Sequence, residues 1–581
     1  MRRLILAGCL FASGTVFADV NHLVSPDGRV SAVVSVNETG RLTYAVTFRG
    51  RKILAPSSIG LTLDGKDLGN VASIRVLSMR EVHERFPVSS VHTKGCYDAQ
   101  VTLFAVLSKE GVPYGLQVSV ADEGFAWRFL ISGKGKHWVD AETACWHLPA
   151  ESCMWVGAPL GGLSAVSTQD SARTSPIVAE LPENFGCALV TETALSNYGG
   201  LKLAVQPDGK VSGDLFQQRG FAVAGRFTTP WRVILLAPTL DALVNSDLVA
   251  ALTPPPDPEL FEPADWAVGG RGILIQRPDN AGPAATAALK RGVECAMRLK
   301  FEFAALDGDW EARTNAWSVL KEVCAYGLTN NVRTVVCKPG ASLSQSTNDY
   351  AEMRVFLDRV RRAGAAGVCV SAGGGDASEH VAFNERLLRE AASRKLLVDF
   401  QDRRILSGGN RTYPNEMTRE AVFGFSEGAP LDFSESGETT WAHRVAVAYL
   451  LTSPLRMMAE PPQRLFAEPH FMDLLPFLEA LPSVWDETRV LDGSRVGELA
   501  AFARRKGNVW YVAMANGTAE LKMVSFVPQF TGWRYVRLSQ LKDVTGKKSD
   551  VAFSNRTIVG DAPLIVALEP CGGFVAKLEK E

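Results

Sequence analysis

Five carboxylates in the middle of this chain follow short apolar runs. Asp307 and Asp309 come after FEFAAL, Asp402 after KLLVDFQ, and Glu420 and Glu427 after RTYPN. Acids at the C-terminal ends of successive barrel strands meet on one rim. Paired there, one can protonate a leaving oxygen while another activates water, the chemistry that cleaves a glycosidic bond. The run GAAGVCVSAGG departs from the pattern, ending in Ser371 where a carboxylate is expected.

Such acids need a scaffold, and the hydrophobic patterning supplies one. From about residue 270, Tyr350, Met353, Phe356, Leu357 and Val360 share one helical stripe, as do Phe383, Leu387, Leu388 and Ala391. Between these stripes lie TVVCK, GVCVS and LLVDF, which are apolar without alternation. Strands of that kind are buried on both faces, so parallel β-α units are expected. Before them, RVSAVVSV, RLTYAVTF, YGLQVSV and FAWRFLI alternate and are punctuated by Asp-Gly turns. The proline-rich stretch 253–258 breaks structure, and NVWYVAMAN and GGFVAKL return to alternation near the C-terminus. The expected architecture is multidomain β plus α/β. An N-terminal β-sandwich spans 19–262, a central (β/α)8-type barrel 263–486 and a small C-terminal β-sandwich 487–581.

Bulk properties narrow the partners. With 581 residues, two or three cores are expected; a net charge of −2 argues against nucleic acid and leaves neutral polyhydroxylated substrates open. The start, MRRLILAGCLFASGTVFADV, reads as a signal peptide over 1–18, so the chain is expected to be exported, periplasmic or secreted. Its apolar run is shorter than the ~20 residues that span a bilayer, so no membrane span is expected. Leu6-Ala7-Gly8-Cys9 also resembles a lipidation box. Nine cysteines follow, without a CxxC pair or a Cys/His cluster; Cys145 and Cys153 are spaced for a hairpin disulfide, and core positions are the alternative. Oligomeric state stays open.

Ordered segments along nearly the whole mature chain resemble glycoside hydrolase family 97. They include SPDG, DEGFAWRF, TETALSNY, TTPWRVILLAPTLDALVNSDLV, FEFAALDGDW, KLLVDFQD, RTYPNEMTREAVFG and LEPCGGFVAKL. The resemblance implies an exported, calcium-dependent α-glycosidase of α-glucosidase or α-galactosidase type, acting on oligosaccharides. By the same resemblance Glu192 and Glu420 are calcium ligands, and Asp402 is both a ligand and the catalytic base. The family's general acid falls on Ser426, with Glu427 one residue on. Glu427 is therefore the candidate acid and fourth ligand, if the backbone accommodates the slip. The nucleophile of retaining members falls on Ser371, so inversion is the implied course. Asp307, Asp309 and Trp310 resemble pocket-lining residues, with a salt bridge or core packing as the alternatives. Two functions stand side by side: an inverting α-glycosidase, and a non-hydrolytic carbohydrate-binding relative on the same scaffold.

Overall fold

The computed structural model describes residues 21–157, 163–165, 173–275, 283–308, 310–312, 314–345, 348–371, 377–403, 408–420, 439–458, 466 and 472–581. The signal-like start, Asp309, Ser426 and Glu427 lie outside the described residues, and of Asp402 and Glu420 only the backbone is described.

Alternation in the first third produces two antiparallel sheets packed face to face. In Val30–Val36, every second residue from Val30 is buried, as expected when one strand face meets the core. One sheet runs through Val30–Val36, Leu42–Phe48, Arg51–Leu63 and Lys136–His147. The other runs through Cys187–Thr193, Trp231–Ala237, Gly124–Ile131, Pro113–Ala121 and Lys94–Ser108. Trp127, Trp146, Phe125 and Phe129 fill the space between. Trp231–Ala237 is buried at every residue. Its inner face meets this core, and Trp231, Val233 and Leu235 pack under the linker helix Leu248–Ala251.

The central region is parallel. Seven strands occur among the described residues, in the order Glu416–Glu420, Leu397–Arg403, Gly367–Ser371, Arg333–Pro339, Phe303–Leu306, Gly270–Ile275 and Leu455–Met458. The first strand in sequence lies between the second and the last, the order of a barrel rather than an open sheet. Phe303, Val335, Leu397, Met417, Leu455 and Met457 fill its interior. Outward residues such as Val336, Val368 and Val398 pack under helices including Ala316–Thr329, Ala351–Ala363 and Ser378–Ala392. Met353, Phe356, Leu357 and Val360 are buried on the second of these. Between the fifth and sixth strands the only helix among the described residues is the four-residue Gly409–Thr412. There the N-terminal domain covers the flank.

Helix Trp441–Leu450 is buried nearly all round, because the barrel and the C-terminal sheet take opposite sides of it. That sheet orders Glu487–Val490, Leu499–Lys506, Val509–Asn516, Gly573–Lys580, Tyr535–Val544 and Lys547–Val559. The nine cysteines among the described residues are free, and six are buried; Cys145 and Cys153 are not bonded to each other. Among the described residues no helix is long and apolar enough to cross a membrane.

Candidate active site

Parallel strands deliver their C-terminal ends to one rim. The register pairs Pro339 with Ser371 and Arg403 with Glu420. The ladder is irregular between Phe400 and Arg403, so Asp402 lies in a bulged stretch near the C-terminal end of its strand, next to the strand that Glu420 ends. Ser371 ends its strand exposed. Asp307 follows the second strand; its backbone N–H donates to Ile275 O at 3.1 Å. Its Oδ1 accepts the Gly308 N–H at 2.7 Å, in a turn where Gly308 adopts φ +70° that a side chain would disfavour.

Trp310 serves the barrel wall in this structure. It is 7% exposed, its Nε1 donates to Cys337 O at 2.8 Å, and its ring meets Trp317 edge-on at 5.0 Å. Beside it, Lys338 pairs with Glu311. Arg271, on the first barrel strand, pairs with Glu302 at 2.7 Å.

One layer beneath the rim lies an acid that the sequence reading passed over. Asp399 is buried and accepts a hydrogen bond from Cys369 Sγ at 2.9 Å. Gln401 Nε2 approaches Cys337 Sγ at 3.9 Å. A hydrogen bond with Cys337, burial and the Asp399 charge together hold the Cys369 thiol well above its ordinary range. The signal was an aspartate inside the apolar run LLVDF.

Glu192 sits in the sandwich. It is 4% exposed. One oxygen accepts the Leu201 N–H at 2.9 Å, and the other pairs with Arg232. Arg232 also reaches across to Glu142 on the facing sheet at 2.7 Å, where Tyr198 OH donates at 3.0 Å. The two glutamates hold the Arg232 guanidinium above its already high ordinary value against the cost of burial. Glu192 also lines a cavity of about 400 Å³ between the sandwich and the barrel flank. Among the described residues no three His, Cys, Asp or Glu side chains cluster at metal-ligand spacing.

A nearly closed barrel of parallel strands beside a β-sandwich, with acidic positions at the C-terminal ends of its strands, is an architecture that suits a glycoside hydrolase. The family comparison is specific. Glycosyl-hydrolase 97 N-terminal matches residues 23–255, Glycoside hydrolase 97 residues 274–422, and Glycosyl-hydrolase 97 C-terminal, oligomerisation, residues 484–579. The chain belongs to glycoside hydrolase family 97. It is 24% identical to a retaining alpha-galactosidase of Bacteroides thetaiotaomicron, over 96% of each chain. It is 27% identical to a probable retaining alpha-galactosidase of Streptomyces bingchenggensis, over 84% of this chain and 82% of that one. A family 97 enzyme of Pseudoalteromonas sp. strain K8, solved in complex with panose, superposes with a TM-score of 0.82 at 18% identity. A beta-arabinopyranosidase superposes with a TM-score of 0.81 at 20% identity. Each alignment covers 96% of this chain and 100% of the other.

Proposed function

We propose that the protein hydrolyses terminal α-glycosidic bonds of oligosaccharides, α-galactosides first, by inversion. The observation that supports this reading is that strands Leu397–Arg403 and Glu416–Glu420 are parallel neighbours, so the backbones of Asp402 and Glu420 come at the C-terminal ends of adjacent strands. Asp402 acts as the base on water, and Glu427 delivers the proton to the leaving oxygen. Of the named relatives, one is a retaining alpha-galactosidase and the other is described as a probable one. Ser371 argues for the other course here: an exposed hydroxyl ends the strand that bears the retaining nucleophile in the family, and it does not replace a carboxylate in forming a glycosyl-enzyme.

Calcium belongs to the proposal through Asp402, Glu420 and Glu427, a set of hard oxygen donors that suits it and would help hold the acids in place. Glu192 suits it poorly, because Arg232 and the Leu201 N–H already take its oxygens. Export, in the periplasm or beyond, is supported by the start of the chain. The carbohydrate-binding alternative draws on Ser371 and Ser426, which replace family carboxylates at two positions.

Purified protein should release the phenol from aryl α-galactoside faster than from aryl α-glucoside. Asp402→Asn should lower the rate by roughly 100-fold or more. A chelator should slow the reaction and calcium should restore it. Glu420→Gln should weaken a calcium titration, and an unchanged titration would remove Glu420 from the site. Absence of turnover on both substrates, with oligosaccharide binding kept, would establish the binding protein instead.

A further inference from the structure

The cavity between sandwich and barrel lies by the short helix Gly409–Thr412, the only helix among the described residues between the fifth and sixth strands. Its barrel wall is one face of Ser378–Ala392: Val381, Asn384, Glu385 and Leu388 line it at helical spacing. Glu416, at the first residue of the sixth strand, also lines it. Glu420 ends that strand four residues on, about 13 Å away along it. Asp307, Ser371 and Gln401 do not line it. The cavity is therefore on the flank and apart from the catalytic rim.

Its polar groups are arranged for a ligand. Asn384 is 3% exposed, yet neither its Nδ2 nor its Oδ1 meets a hydrogen-bonding partner. An amide held away from water without partners is costly, so natural folds rarely leave one so. Beside it, Glu385 is fixed from both domains: Ser196 Oγ donates to one oxygen at 2.6 Å and Tyr413 OH to the other at 3.2 Å. From the sandwich side comes Arg128. Its Nε donates to Gln117 at 2.9 Å, its guanidinium lies 4.4 Å from the Trp231 ring centroid, and among the described residues it has no carboxylate partner. Pro254, Pro255 and Leu260 complete an apolar wall.

We infer that this cavity is a second binding site, for a small polyhydroxylated ring of the size of one or two sugars. Vicinal hydroxyls both donate and accept, which is what the Asn384 amide lacks on its two ends. A carboxylate and a guanidinium on the remaining walls take the other hydroxyls, and the aliphatic wall takes the C–H face. The volume of about 400 Å³ falls within the roughly 300–1,000 Å³ of small-molecule sites. This inference rests on the cavity and stands whether or not the rim hydrolyses glycosides.

The test is calorimetric titration of the full chain with D-galactose, beside a crystal soaked in the same sugar. Wild-type protein should show a binding class that Asn384→Leu weakens by about ten-fold or more, and the soaked crystal should show a pyranose against Asn384. An unchanged isotherm in the folded variant would overturn the inference, as would water alone at Asn384 in the crystal. Should Asn384→Leu fail to fold, the wild-type crystal decides. A chain that turns over no glycoside but binds galactose at Asn384 loses the hydrolase reading and keeps this site.

Discussion

Arg232 is the residue on which the sandwich interior turns. Glu142 and Glu192 approach it from two sheets, and all three are buried. Removing one partner of such a group leaves charge without compensation in the interior, at a cost of about 3–5 kcal/mol. Arg232→Met should therefore lower unfolding stability in urea by that order. A change below about 1 kcal/mol would mean that the glutamates find other partners or take up protons. The same contact shows where residue-level reading stops. TETALSNY identifies Glu192 as a family position, but its partners lie 40 residues away at Arg232 and on the facing sheet. No local spacing announces them. Asn384 is similar: it sits among Phe383, Leu387 and Leu388 as a polar interruption in an apolar helix, and only the packed flank shows what it faces.

At the scale of elements, helix Trp441–Leu450 and the closing strand Gly573–Lys580 form a close seam. A side chain at Gly573 would meet the backbone of Ala442 and His443. Gly573→Ala should therefore cost about 1–3 kcal/mol through overpacking, measured by thermal unfolding. Opposite it, His443 Nδ1 donates to Gly572 O at 3.1 Å. Burial brings its pKa down from 6.5 to about 4. The folded state thus binds fewer protons than the unfolded chain between these values. Stability is complete above pH 6.5 and is lost as pH falls toward 4, by about 3 kcal/mol. His443→Gln should flatten that part of the stability profile; an unchanged slope would place its origin elsewhere. Elements were the most legible level. TVVCK, GVCVS and LLVDF each became a barrel strand, and both helical stripes became helices, because period and burial are local properties of the chain. That only the four-residue Gly409–Thr412 stands between the fifth and sixth strands among the described residues was not legible, since a distant domain covers the flank there.

The whole molecule is held together by groups that cross domain seams. Arg411, in the stretch read for its neighbouring acids, instead enters the N-terminal domain. It pairs with Glu84, donates to Ala251 O at 2.8 Å and lies 3.9 Å from the Phe86 ring centroid. Thr488 Oγ1 donates to Val91 O at 2.7 Å, and Asp241 accepts the Val490 N–H at the same distance. The barrel, through Arg411, and the C-terminal sheet, through Thr488 and Val490, thus both hold the N-terminal domain. Arg411→Ala should separate unfolding of the sandwich from that of the barrel, seen as two calorimetric transitions where the wild type has one. The central claim concerns chemistry at the rim, and the anomer first released is its most direct measure. Proton NMR during hydrolysis of an aryl α-galactoside should show β-galactose appearing before mutarotation. First appearance of α-galactose would contradict the assignment of Asp402 as a base acting through water, and no release of galactose would contradict the hydrolase itself.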